Sequence, residues 1–157
     1  DLPSFADYSV KNKTYRYFSG KPLYGFGYGL SYTTFKYDQL KVSSQIKKGA
    51  ETEVSVRITN TGKIEGDEVA QLYVINTDLN IKAPLKSLKG FERISLKAGE
   101  SKTVIFKLSP EDLSYVTSDG DLKEYGGKLK IAIGGSQPDE KSVTDHTIVT
   151  QFIEIEK

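Results

Sequence analysis

Apolar and polar side chains alternate with a period of two along much of the chain after residue 34. The alternation is clearest at residues 54–58, 104–108 and 129–133. A strand that buries one face shows this pattern, because successive side chains point to opposite sides of a sheet. Residues 69–75 are instead almost continuously apolar and rich in β-forming residues, as a central strand would be. The pattern therefore predicts a protein made mainly of strands.

Turn signals separate these segments. They occur at Asn60-Thr61-Gly62, Lys97-Ala98-Gly99-Glu100 and Asp119-Gly120. Ser109-Pro110-Glu111-Asp112-Leu113 predicts one helical turn, since it combines a capping serine, a proline and early acids. About seven short strands result, the last at residues 148–155, with no long helix between them. We therefore predict an all-β sandwich of two antiparallel sheets, of the immunoglobulin type, over residues 35–157.

The beginning of the chain has a different composition. Of the 10 Tyr and 7 Phe residues, 11 fall within residues 1–37, among several Gly and Pro residues and without a regular period. A solvated linker would be rich in Ser, Glu or Lys. Each aromatic side chain buries about 150–250 Å² when it packs. We therefore predict that residues 1–34 form an irregular arm, which packs partly on the following domain and partly on a surface outside this sequence.

Composition excludes several classes of function. The 157 residues carry 22 Lys and Arg against 21 Asp and Glu, and this near-neutral balance argues against a nucleic-acid partner. No apolar run reaches the roughly 18 residues of a membrane span. Cysteine is absent and His146 is the only histidine, so we expect no metal site and no cofactor. The sequence begins at Asp1 and contains no Met, from which we expect a longer parent protein.

No motif for catalysis stands out. Gly25, Gly27 and Gly29 resemble a phosphate-binding loop, but Leu30 stands near the place of the next glycine and no helix follows, so close backbone packing is the better interpretation. The neighbouring carboxylate pairs all fall in predicted turns or strand ends, where solvated charge is expected. His146 has no nucleophile motif to pair with and is expected at the surface. Asn12-Lys13-Thr14 is formally a glycosylation acceptor.

A sugar-binding sandwich is the main alternative from another functional class. Such modules present flat aromatic platforms, most often with Trp, and this chain has none. Tyr115 and Tyr125 lie near predicted loops and could contact a sugar, although packing is the favoured interpretation for both.

Two groups of motifs in the chain carry a resemblance to a known family. The first group consists of Tyr15-Arg16-Tyr17-Phe18 and Pro22-Leu23-Tyr24-Gly25-Phe26-Gly27-Tyr28-Gly29-Leu30-Ser31-Tyr32-Thr33-Thr34-Phe35. It closely resembles the junction between the second catalytic domain and the C-terminal domain in glycoside hydrolase family 3. The family's fibronectin type III-like domain resembles, in the same order, Asn60-Thr61-Gly62, Gly66-Asp67-Glu68-Val69-Ala70-Gln71-Leu72-Tyr73-Val74, Pro84, Leu88-Lys89-Gly90-Phe91 and Gly99-Glu100. The chain departs from the family at turn positions, namely at Gly25, at Gly126-Gly127 and at Gln137.

The resemblance implies a fibronectin type III-like sandwich from a retaining, exo-acting β-glucosidase or β-xylosidase that is periplasmic or extracellular. The catalytic Asp and Glu of such enzymes belong to domains that precede this segment. A retaining mechanism needs its two carboxyl groups about 5–5.5 Å apart, so a fragment that contains neither is expected to be non-catalytic.

The partner implied by the resemblance is the set of preceding catalytic domains. The residues expected to dock on them are Tyr15, Arg16, Tyr17, Phe18, Tyr24, Phe26, Tyr28 and Leu30. The alternative is a carbohydrate-binding sandwich that brings the enzyme to polymeric substrate, with an oligosaccharide as its ligand.

Overall fold

A computed structural model describes residues 4–156 except 7, 9–11, 79 and 146. An irregular segment precedes the first strand. The strands are β1 Phe35–Lys41, β2 Gln45–Ile46, β3 Thr52–Asn60, β4 Gly66–Asn76, β5 Lys86–Leu96, β6 Ser101–Leu108, β7 Ser114–Val116, β8 Leu122–Glu124, β9 Gly127–Gly134 and β10 Ile148–Ile155. One short helix, α1 Glu140–Thr144, lies between β9 and β10. His146, expected at the surface, lies outside the described residues.

Two sheets enclose the core, as predicted. One has three strands in the order β1-β3-β6, and the other has five in the order β2-β10-β9-β4-β5. The pairs within them are antiparallel except for β2 with β10. A separate hairpin joins β7 to β8. No helix in the described part of the chain is long and apolar enough to cross a membrane.

The core fills the space between the sheets, and β3 shows how the sequence builds it. Val54, Val56 and Ile58 are completely buried, while the residues between them face outward. Burying each such side chain stabilises the fold by roughly 1.5–3 kcal/mol. Outside, Arg57 donates two hydrogen bonds to the Asp38 carboxylate, at 2.8 and 3.1 Å. The outer face of the three-stranded sheet therefore carries mainly polar and ion-paired side chains, with Ile105 of β6 as an exposed apolar exception.

Strand β1 contains an irregularity that a period-two pattern does not predict. Tyr37 is buried in the core, and Leu40, three positions later, also packs against it. Gln39 between them has a φ of 52°, and the pairing with β3 shifts between Asp38 and Lys41. This bulge changes which side of the strand faces inward.

A hydrogen bond links the two sheets at one end of the core. The Tyr37 hydroxyl donates to Glu68 Oε1 at 2.6 Å. Burial raises the pKa of the Glu68 carboxyl, while the bond from Tyr37 acts in the opposite direction.

Strand β4 is buried on both faces over part of its length. Ala70, Leu72 and Val74 belong to the main core. Gln71 and Tyr73 point to the opposite face, yet they are 6% and 0% exposed. The strand lies between β9 and β5, as the prediction of a central strand requires. Its outer face is buried because the arm lies over it.

Candidate functional site

The candidate site is the arm on the outer face of the five-stranded sheet. Its contacts with the sandwich begin at Tyr15 and end at Thr34. A small cluster separate from the main core marks the contact, with Tyr73, Ala132 and Ile148 buried at its centre and Tyr15 packed against it. The arm therefore covers apolar surface that a bare sheet would leave in water.

The first contact fastens the arm to the start of β5. The Arg16 carbonyl accepts the N–H of Leu85 at 2.8 Å. The Tyr15 hydroxyl accepts the N–H of Leu88 at 3.2 Å. Both residues lie within a turn, which the N–H of Phe18 closes by bonding to the Thr14 carbonyl at 2.8 Å.

Three aromatic rings form the centre of the site. Tyr15 stacks on Phe26 with the ring centroids 4.1 Å apart and an interplanar angle of 12°. The same ring meets Tyr73 edge-on, at 6.4 Å and 81°. Such ring pairs contribute about 0.5–1.5 kcal/mol each beyond their buried area. The stack thus joins two distant parts of the arm to each other and to β4.

Two buried glutamine side chains hold the second half of the arm. Gln71 Nε2 donates to the carbonyls of Gly135 at 2.7 Å and Gly27 at 3.3 Å, while its Oε1 accepts the Tyr73 hydroxyl at 2.6 Å. Gln137 exchanges two bonds with the backbone of Phe26, donating its N–H at 2.7 Å and accepting at its side-chain oxygen at 3.3 Å. These hydrogen bonds hold the backbone of the arm on the sheet in place of the pairing that a neighbouring strand would make.

Gly27 is required by this contact. Its φ is 76°, and a Cβ there would lie 2.2 Å from Gln71 Oε1. The close packing expected for the glycine-rich segment therefore holds at this position. At Gly29 a Cβ would meet nothing within 4 Å, so spacing alone did not reveal which glycine is needed.

The end of the arm is locked to the sandwich by Asn60. This side chain is fully buried. Its oxygen accepts the Thr33 hydroxyl at 2.6 Å and the N–H of Gly62 at 3.0 Å. Its NH₂ group donates to the carbonyls of Ile64 at 2.8 Å and Leu96 at 2.9 Å. One amide thus joins the arm, a turn and two strand ends.

The eight residues expected to dock fall into two groups. Tyr15, Tyr17 and Phe18 are half-buried, and Tyr15 packs against the small cluster on the sandwich. The exposed ones are Arg16, Tyr24, Phe26, Tyr28 and Leu30, and the last four are 66%, 45%, 52% and 90% exposed. Tyr24 and Tyr28 lie with their rings 5.0 Å apart. We call Tyr24, Phe26, Tyr28 and Leu30 the ring patch.

The structure adds residues that the sequence analysis did not select. Leu23 and Tyr32 extend the ring patch along the arm and are 90% and 99% exposed. Phe91 is 71% exposed and lies opposite Gln71 on the outer face of the sheet. Along β5 the buried Ile94 and Leu96 stand at even positions and Phe91 at an odd one. The alternation in the sequence could therefore have placed Phe91 on the outer face.

Tyr125, named as a possible sugar contact, is in a position that does not suit that role. It is 5% exposed and belongs to the main core, and burial raises the pKa of its hydroxyl to about 12. Tyr115 is half-buried beside it, with the ring centroids 4.9 Å apart. The β7–β8 hairpin folds back so that the N–H of Tyr125 bonds to the Leu113 carbonyl, which brings both rings inward. Neither ring forms an open platform.

The described residues contain no group of three His, Asp or Glu side chains arranged to hold a metal ion.

Comparisons with known proteins agree with this architecture. Residues 68–137 match the family model of the fibronectin type III-like domain. The chain is 46% identical over 123 residues to a β-xylosidase of Formosa agariphila, an alignment that covers 78% of this chain and 17% of that protein. It is 43% identical to a periplasmic β-glucosidase of Salmonella typhimurium, covering 77% of this chain and 16% of that protein.

A solved structure gives the same result. The β-glucosidase of Listeria innocua, in complex with glucose, superposes with a TM-score of 0.75 at 30% identity, covering 94% of this chain and 20% of that one. The chain thus spans between 16% and 19% of the length of the first curated relatives it matches. On its motifs, its fold and these matches, the chain belongs to the fibronectin type III-like domains of glycoside hydrolase family 3.

Proposed function

We propose that this chain is a non-catalytic docking and stabilising module of a larger retaining, exo-acting β-glucosidase or β-xylosidase, which hydrolyses terminal β-linked sugars. Residues 1–34 come from the junction with the preceding catalytic domain, and residues 35–157 form the sandwich. The parent enzyme is periplasmic or extracellular, which is supported by the periplasmic β-glucosidase among its relatives.

The observation that carries the proposal is the construction of the arm. The backbone at Phe26 and Gly27 is fixed by Gln71 and Gln137, so the arm is not a loose tail. Nevertheless the ring patch is left open to solvent. Contiguous apolar surface of this kind on an ordered element marks an interaction site, because leaving it in water is unfavourable.

The outer faces of the two sheets differ in polarity, and this difference favours one of them as the docking surface. The outer face of the three-stranded sheet carries the Arg57–Asp38 ion pair and the hydroxyl pair of Thr59 with Ser101. Lys107 is also within 4.0 Å of both Glu51 and Glu53 there. Such a polar surface is suited to water. This contrast supports a partner that lies over the arm and the five-stranded sheet.

Making the ring patch polar tests the proposal. We expect the triple variant Tyr24→Ser, Tyr28→Ser, Leu30→Ser to change the free energy of unfolding of the 157-residue chain by no more than about 0.5 kcal/mol per site, because the side chains are exposed. In the complete gene product the same changes should separate the unfolding of this module from that of the catalytic part. Differential scanning calorimetry of both proteins measures the two effects.

A control uses three apolar residues outside the arm that are also more than half exposed. Ile105, Val116 and Leu122 are 56%, 59% and 58% exposed, and their triple replacement by Ser should leave coupled unfolding intact. The proposal fails if the ring-patch variant and this control behave alike, or if the native gene product proves to have no catalytic portion.

A further expectation concerns activity. The purified 157-residue chain should not hydrolyse aryl β-glucosides or aryl β-xylosides, because the two carboxylates of the retaining mechanism lie in other domains. It should also show no binding to cello- or xylo-oligosaccharides in a calorimetric titration. Binding at millimolar concentration or tighter would favour the alternative sugar-binding function, and turnover that persists through purification would contradict the non-catalytic assignment.

A further inference from the structure

Arg16 differs from the other two arginines of the chain. Arg57 is paired with Asp38 at 2.8 Å, and Arg93 is paired with Asp67. The Arg16 guanidinium donates to the Ser87 hydroxyl at 3.3 Å. No Asp or Glu of the described residues lies within the 4.0 Å of an ion pair with it. It is the arginine that lies in the arm, and its side chain is exposed.

The position of Arg16 is nevertheless fixed. Its own carbonyl accepts the N–H of Leu85 at 2.8 Å, and that of Lys86 at 3.4 Å. Tyr15 and Tyr17 on either side are half-buried. Only the far end of the side chain is left to move, so less entropy is lost when a partner group is bound.

Strand β5 brings two lysines, Lys86 and Lys89, to the region of Arg16. Lys89 is mostly buried, and its Nζ lies 3.9 Å from Asp112. Burial lowers the pKa of Lys89, while the charge of Asp112 raises it and that of Arg16 lowers it. Lys86 is also half-buried, with its pKa lowered by burial and raised by Asp139. Each lysine thus has a nearby carboxylate, whereas Arg16 has a hydroxyl.

We infer that the Arg16 guanidinium binds a carboxylate from the part of the parent enzyme outside these residues, next to the ring patch. The inference rests on the proposed docking function and adds the chemistry of one contact. A guanidinium presents its N–H groups as a planar fork that matches both oxygens of a carboxylate. Arginine is one of the residue types enriched among those that contribute most of the binding energy at protein interfaces.

Zero-length cross-linking identifies the partner group directly. In the complete gene product, an Arg16→Lys variant treated with a water-soluble carbodiimide should form an amide with an adjacent carboxylate, the carbodiimide leaving as its urea. We expect mass spectrometry to find residue 16 joined to an Asp or Glu outside this chain. As a positive control, Arg57→Lys should be joined to Asp38.

A second variant measures the strength of the contact. Arg16→Ala should raise the rate of amide hydrogen exchange in the arm of the complete gene product by roughly tenfold. This factor corresponds to the free energy of one charge-assisted hydrogen bond. Arg93→Ala, which removes an arginine that already has its carboxylate within this chain, should leave the exchange of the arm unchanged.

The outcomes separate this inference from the docking function. A cross-link that reaches only Asp112 or another acid of this chain, with Arg16→Ala no different from Arg93→Ala, overturns the inference while coupled unfolding still supports docking. Independent unfolding of the module and the catalytic part overturns both. A cross-link to an external acid together with faster exchange in Arg16→Ala supports both.

Discussion

Replacing Asn60 with Asp is expected to destabilise the sandwich by about 3–5 kcal/mol at neutral pH, the usual effect of an unpaired charge in a protein interior. The NH₂ group of Asn60 donates to the carbonyls of Ile64 and Leu96. A carboxylate in its place would point a negative oxygen at two carbonyl oxygens, in a position with no exposure to solvent. The variant would lose two hydrogen bonds and bury a charge at the same position, and both effects destabilise the folded state.

The loss should depend on pH in a definite direction. Burial and the facing carbonyls raise the pKa of the introduced carboxyl above its unfolded value. Its penalty is fully present above the folded pKa and is relieved as the pH falls through that value, so the variant recovers stability relative to the wild type in acid. Denaturant unfolding of both proteins at neutral and mildly acidic pH measures the difference.

A matched control is available in the arm. Asn12 is exposed, and its side-chain oxygen accepts a bond from Ser19, which an Asp oxygen can also accept. Asn12→Asp should change the free energy of unfolding by less than about 0.5 kcal/mol. An Asn60→Asp loss that is equally small, or that does not vary with pH, would show that Asn60 is not the link between arm and sandwich.

The regular part of the fold could be predicted because burial on one face leaves a period-two pattern. The strands at Val54–Ile58, Val104–Leu108 and Leu129–Ile133 were identified this way, and β10 was located at residues 148–155. Seven strands have seven or more residues, in line with the prediction of about seven. The missed strands β2, β7 and β8 have two or three residues each, too few to display a period.

The candidate site was less predictable, because its contacts are made by amides. Gln71 and Gln137 look like ordinary polar residues in the sequence, but both are buried and bind the arm's backbone. The sequence did carry one sign of this arrangement. The nearly continuous apolar run at residues 69–75 required a cover on both faces of the strand, and the second cover is the arm.

Which aromatic residues face outward was not predictable. Tyr15 and Phe26 are stacked, yet Tyr15 packs against the sandwich while Phe26 is 45% exposed. The arm has no regular period, so sequence position does not define its faces. The difference arises from the carbonyl and hydroxyl contacts to Leu85 and Leu88, which turn the first half of the arm toward β5.

Tyr73→Ala should show that the arm is part of the domain rather than an appendage. Tyr73 is completely buried, touches the edge of Tyr15 and donates its hydroxyl to Gln71. Removing its ring leaves a cavity beneath the arm and frees the amide that holds Gly27. Truncating a buried aromatic residue typically destabilises a protein by about 3–5 kcal/mol.

The comparison is with Phe91→Ala on the same face of the neighbouring strand. Phe91 is 71% exposed, so its removal should change the free energy of unfolding by no more than about 0.5 kcal/mol. Chemical denaturation gives both values, and proteolysis should cut the arm near Gly29 faster only in Tyr73→Ala. If both variants lost the same small amount of unfolding free energy, the sheet would be stable without the arm over its outer face. The near-continuous apolar run of β4 would then need another explanation.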